Sequence, residues 1–155
     1  MTPKWHFLTG IVAGLLAYFY FDVSVFYSVV LFLSCFLIDV DHYLFYAFYK
    51  KDFSFFSARR WCFYHMMKHK ASTYGVRRKS RYPFFIFHGL EVIVPLYFIS
   101  FIYPVLFFVF LGFFIHWVED IIMDLIYPGG ANKFSIVLAI WDFIDKKGVE
   151  IGCFD

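Results

Sequence analysis

Apolar residues along this chain fall in four long runs rather than in the alternation of a half-buried sheet. The runs extend from about Trp5 to Phe21, Val23 to Asp39, Phe84 to Ile102 and Val105 to Ile126. Each is close to the roughly 20 residues that a helix needs to cross a bilayer. The connections at Phe21-Asp22-Val23 and Ile102-Tyr103-Pro104 leave room only for tight turns, so the pattern predicts two helical hairpins. Between them lies a polar segment, Lys50 to Pro83. A fifth apolar patch, Phe134 to Ile144, follows the break at Pro128-Gly129-Gly130. It is too short to span and predicts an amphipathic interfacial helix over about 132–146. The expected fold class is all-α: a single membrane domain over residues 1–155, with four transmembrane helices in two hairpins plus interfacial amphipathic helices.

Composition excludes the main alternatives. Apolar residues make up 62% and charged residues 17% of the chain, with 25 Phe, 12 Tyr and a mean hydropathy of +0.69. A soluble domain is about 45–50% apolar and ~25% charged, so a monomeric globule in water would be left with uncovered apolar surface. Disorder needs the opposite composition. Cys35, Cys62 and Cys153 have no CxxC spacing and an odd number, which argues against a disulfide framework. Lys4 precedes the first run, but no small-residue cleavage site follows it; the run reads as a retained span rather than a signal peptide.

Charge sets the expected orientation. Ten of the fourteen basic residues lie in the 50–83 segment, and the others are Lys4, Lys133, Lys146 and Lys147. With four spans all of these share one side, while the two short turns carry none. Basic residues stay cytoplasmic, so both termini are expected in the cytoplasm, with the protein in the plasma (inner) membrane. The basic segment interleaves Phe53, Phe55, Phe56, Trp61, Phe63 and Tyr64. That mixture suits anionic headgroups better than nucleic acid. His65 and His69, one helical turn apart among these cations, read as part of the same headgroup-facing surface.

Acidic and imidazole groups inside spans are costly and usually mark function. Here they collect at one level. His6 opens the first run, Asp39, Asp41 and His42 close the second, and His88 and Glu91 lie near the start of the third. His116, Glu119, Asp120 and Asp124 occupy the cytoplasmic half of the fourth. His116, Asp120 and Asp124 are spaced by fours, and Asp39/His42 and His88/Glu91 by threes, as on single helix faces. Glu119 falls out of step with the first set and is expected to reach the interface; Asp41 is expected to point away from Asp39 if the helix continues. The shallow pocket so formed opens toward the cytoplasm, since His116 lies only ~12 Å deeper than Asp124. Imidazole with carboxylate is the ligand set of Zn, Mn or Fe. Inward-facing Glu and His in a helical bundle hold one or two such ions. The expected cofactor is therefore one or two divalent ions, zinc first, with His6, Asp39, Asp41, His42, His88, His116 and Asp120 as metal candidates. Glu91 and Asp124 are the expected proton-handling carboxylates.

Three of these groups, in order, resemble the motifs of a known family. His6-Phe7-Leu8-Thr9-Gly10, Asp39-Val40-Asp41-His42 and His116-Trp117-Val118-Glu119-Asp120 look like those of the YdjM-like family, small bacterial and archaeal integral membrane proteins described as metal-dependent hydrolases. The resemblance covers all four spans. It implies a helical membrane architecture, divalent-metal dependence, hydrolase activity and a distant kinship to zinc-dependent phospholipase C. Its ligand candidates are His6, Asp39, Asp41, His42, His116 and Asp120. Many members carry His-Arg-Gly-x-Thr-His-Ser before the third span, where this chain has Phe87-His88-Gly89-Leu90-Glu91 and keeps one histidine.

The expected function is a membrane-bound hydrolase acting at the cytoplasmic leaflet on a lipid-linked or amphiphilic ester, with a phosphoester as the first candidate. The partners would be a membrane lipid or lipid-like substrate and, through the aromatic surface, a second copy of the chain. A metal transporter or sensor is the rival class; the outer halves of the spans offer it only Ser24, Ser28 and Ser100. A membrane desaturase would need more paired histidines than the six present. A non-catalytic scaffold would use the same polar groups for packing alone.

Overall fold

A computed structural model describes residues 3–72, 85–126, 135–137, 140 and 144, with backbone alone for 3, 65–72, 124 and 125. All secondary structure among them is helical: α1 (Pro3–Phe19), α2 (Val25–Leu37), α3 (Val40–Lys50), α4 (Phe55–Ser72), α5 (Leu90–Ser100) and α6 (Pro104–Ile126). Two segments, Val25–Lys50 (α2 with α3) and Pro104–Met123 of α6, are long and apolar enough to cross a membrane. The predicted interfacial helix over 132–146 falls mostly outside the described residues, as do the Gly129-Gly130 break, most of the basic segment beyond α4, and the side chains of Asp124, His65 and His69.

α2 packs on both α1 and α6, and α5 lines the other side of α6. Each hairpin turns sharply. Asp22 closes the first in the left-handed region at φ 52°, which Asp tolerates better than most residues. In the second, Pro104 opens α6, where its missing N–H costs nothing and its fixed φ suits the helix. Antiparallel pairing brings the start of α1, the end of α2, the approach to α5 and the later turns of α6 to one end of the bundle.

The helices meet where side chains are smallest. A Cβ on Gly112 of α6 would lie 2.6 Å from the Ser34 Cβ, 2.7 Å from the Cys35 nitrogen and 2.8 Å from the Leu31 carbonyl oxygen of α2. A Cβ on Gly14 of α1 would lie 3.1 Å from the Ser28 carbonyl oxygen. Close contacts of this kind let helices associate by van der Waals packing where water supplies no drive. Rings fill the spaces between helices: Phe7 meets Phe32 and Phe36 edge-on, and Tyr27 stacks on Phe108 at 4.7 Å.

Two elements differ from the apolar pattern. The second run does not end at Asp39. Its backbone stays right-handed helical through Ile38 and Asp39, but the bonds tighten to Asp41 N–H to Ile38 C=O and His42 N–H to Asp39 C=O. α3 then continues to Lys50, whose left-handed successor Lys51 (φ 53°) ends it. The third helix begins at Leu90 rather than near Phe84; in the turn before it Asp41 accepts the Phe87 N–H at 3.1 Å and a nitrogen-bound proton of His88 at 3.0 Å. Pro95 inside α5 removes one further helical hydrogen bond.

α4 returns along α3 with Ala58 buried and Trp61 between Phe45 and Tyr46. Asp52 fixes the turn by accepting the Tyr46 hydroxyl and the Ser54 N–H, and these bonds hold its carboxyl below the usual range.

Gly112→Ala is expected to lower thermal stability in detergent by about 1–3 kcal/mol, the ordinary cost of overpacking. The opposing atoms are largely backbone and cannot swing aside. A variant melting with the wild type by intrinsic fluorescence would mean that α2 and α6 are not in this contact.

Candidate metal centre

Four of the six largest fully buried side chains among the described residues are polar or ionisable. His6, His88, His116 and Asp120 are at most 2% exposed, and Asp41 4%, while Leu15, Phe26 and Phe98 face outward. The tight turn at Ile38–Asp39 explains how Asp39 and Asp41 both join the group. In a regular α-helix they would stand about 160° apart, whereas three residues per turn cuts that to about 120°. Both carboxylates then flank His42, whose Nδ1 lies 3.2 Å from Asp39 Oδ1 and 3.1 Å from Asp41 Oδ1.

Three rings are each anchored at Nδ1. His6 Nδ1 is 2.6 Å from Glu119 Oε2. His88 Nδ1 donates to Asp41 Oδ2, and His116 Nδ1 donates to the Cys35 carbonyl at 2.8 Å. An anchored Nδ1–H leaves the lone pair on Nε2, and carboxylate or carbonyl anchoring of this kind is how metal-ligating histidines are oriented. The His6 ring stacks on His116 at 3.7 Å, which stops both from turning.

The free nitrogens converge. His88 Nε2 and His116 Nε2 are 3.2 Å apart, although each carries a lone pair toward the other. Asp39 Oδ1 lies 3.6 and 3.5 Å from them, and Asp120 Oδ2 lies 3.6 and 3.7 Å from them. Ligands bound at 2.0–2.2 Å around a tetrahedral ion are separated by about 3.3–3.6 Å, so all five distances lie near the edge of such a polyhedron. His6 Nε2 adds a further nitrogen 3.6 Å from Asp120 Oδ1. The groups able to hold an ion are His6/Asp39/His116, Asp39/His42/His88 and His88/His116/Asp120.

The seven metal candidates of the sequence therefore come together, from α1, the α2–α3 junction, the turn before α5, and α6. Of the two expected proton carriers, Glu91 does not join them. Glu91 instead accepts from the Ser135 hydroxyl and the backbone N–H groups of Ile136 and Val137. Asp124 has no described side chain. Glu119, expected at the interface, reaches inward to His6. Its position three residues after His116, with Asp120 four after, places the two carboxylates on either side of the His116 direction; that spacing was the available signal. The Cys35 carbonyl is a backbone group and left no trace in the residue pattern. Burial pushes the Cys62 thiol up to about 11, and Cys62 is in none of the groups placed to hold an ion.

Compared with family models, curated proteins and solved structures, the chain matches none.

Glu119→Gln is expected to weaken divalent-ion affinity about 10–100-fold, as loss of an outer anchor does, with little change in fold. Titration of the metal-stripped protein with zinc and a competing chelator measures it; unchanged affinity would detach Glu119 from the centre.

Proposed function

We propose that this protein is a membrane-embedded, metal-dependent hydrolase of the YdjM-like kind that acts at the cytoplasmic leaflet on a lipid-linked or amphiphilic phosphoester. The observation that carries the reading is the arrangement of the three anchored histidines, with Nδ1 held outward and Nε2 turned toward Asp39 and Asp120. Proteins rarely bury so many ionisable groups without a counter-ion.

The membrane part of the proposal is supported by the inverted distribution of polarity and by the two long apolar segments. α1, at 17 residues, and the stretch around α5 supply the other two crossings of a four-span bundle. The positive residues favour a metal centre beneath the inner headgroups. Ser28 and Ser100 donate their hydroxyls to carbonyls of their own helical turns, so they lend no support to an ion path through the outer half.

A divalent ion, zinc first, supplies Lewis acidity and a water with a pKa lowered to about 7. The chain's own work is to hold and to orient. His6, His88, His116, Asp39 and Asp120 face the ion position. Glu119, Asp41 and the Cys35 carbonyl fix the ring angles. The open edge is formed by Asp39 and His42, 18% and 26% exposed, and a substrate phosphate approaches there. The basic residues of the 50–83 segment would attract that anionic group. Of the two expected proton carriers, Glu91 is engaged by residues 135–137, which leaves the role to Asp124.

Purified protein in lipid nanodiscs is expected to contain transition metal and to release phosphate or headgroup from short-chain amphiphilic phosphoesters. His116→Ala and Asp120→Ala should lose both metal and hydrolysis, and the wild type should show no metal flux in proteoliposomes. Wild-type protein that takes up no metal, or variants that keep full metal and activity, would refute the proposal.

A further inference from the structure

We infer a second cation position at the rim of the centre, formed by His42 Nδ1, Asp41 Oδ1 and Asp39 Oδ1, with Asp39 shared between two ions. The inference rests on the proposed reading of the inner position and deepens it. It starts from two buried atoms that the inner position leaves unexplained. Asp41 is 4% exposed, and its Oδ2 takes both the Phe87 N–H and His88 Nδ1. Its Oδ1 and His42 Nδ1 have no hydrogen-bond partner, although they lie 3.1 Å apart. An imidazolium would aim its N–H along one of its two carboxylate contacts. Here the nitrogen sits 3.1 and 3.2 Å from two oxygens without hydrogen-bond alignment to Asp41 Oδ1. Buried carboxylate oxygens without a partner are rare and costly.

The two separations from His42 Nδ1 suit donors around one ion. Ligands at about 2.1 Å stand roughly 3.0–3.4 Å apart for octahedral to tetrahedral angles. The His42 ring is held for the purpose, tilted against Phe85 at 3.7 Å and edge-on to His88 at 5.0 Å. Asp39 Oδ1 is the common element. It lies 3.2 Å from His42 Nδ1 and 3.5 Å from His116 Nε2, so one carboxylate faces both positions. The rim position borders the most exposed side chains of the cluster, and solvent or substrate oxygens complete its coordination. Paired ions bridged in this way clamp the attacking and leaving oxygens of an in-line displacement, which agrees with the phosphoester substrate proposed above.

The test is manganese titration of metal-stripped protein in nanodiscs, read by elemental analysis and electron paramagnetic resonance. The wild type should bind two ions per chain and show an exchange-coupled spectrum. His42→Ala and the milder His42→Gln should bind one ion with an uncoupled spectrum. A wild type that binds one uncoupled ion overturns the rim position and leaves the inner centre standing. A wild type that binds none overturns both. A folded His42 variant that keeps two coupled ions also overturns the rim position. The wild-type spectrum decides the matter even where a variant fails to fold.

Discussion

An imidazole or carboxylate removed from water must have its polar atoms answered, and this requirement shapes the end of the bundle where the buried histidines gather. Losing one partner of a buried charged set typically costs 3–5 kcal/mol, a large part of the 5–15 kcal/mol that separates folded from unfolded chains. Three histidines meet the requirement by splitting their ring nitrogens between an outward anchor and a common inward point. The anchors come from three places: Glu119 on α6, Asp41 on the α2–α3 junction and the backbone of Cys35 on α2. Neither α1, α2 nor α6 can shift along its axis without breaking at least one of them.

That constraint accounts for irregularities that would otherwise look like defects. The tight turn at Asp39 brings two carboxylates to one side. The turn before α5 brings the Phe87 N–H onto Asp41. The Gly112 contact lets α6 come near enough to α2 for His116 to reach the Cys35 carbonyl. Local rules of helix geometry yield at these points because the buried polar set gains more than the backbone loses.

Much of this was legible in the residue order. The apolar runs foretold the helices, and their polar interruptions foretold which ends converge, because a carboxylate inside Leu, Ile and Phe has few other places to go. Less visible were features that depend on partners far away in sequence. Glu119 looked misplaced when its face was judged against α6 alone, yet its partner is His6 on α1. Glu91 resembled a member of the cluster because it lies three residues after His88; its partners stand 44 to 46 residues later. Asp41 was expected to diverge from Asp39 because regular helical geometry was assumed through a turn that tightens. Periodicity reports which residues share a face of one helix, and it is silent on what another helix brings to that face.

The contact between Glu91 and residues 135–137 also bears on the order of assembly. Gly89, next to His88, has no side chain where Ile136 now sits, so the turn carrying His88 gains its last neighbour from a stretch made after every ion-facing residue. Synthesis proceeds from the N-terminus. The segment packed beside that turn is therefore synthesised after the whole donor set, so the surroundings of His88 are completed by the later part of the chain.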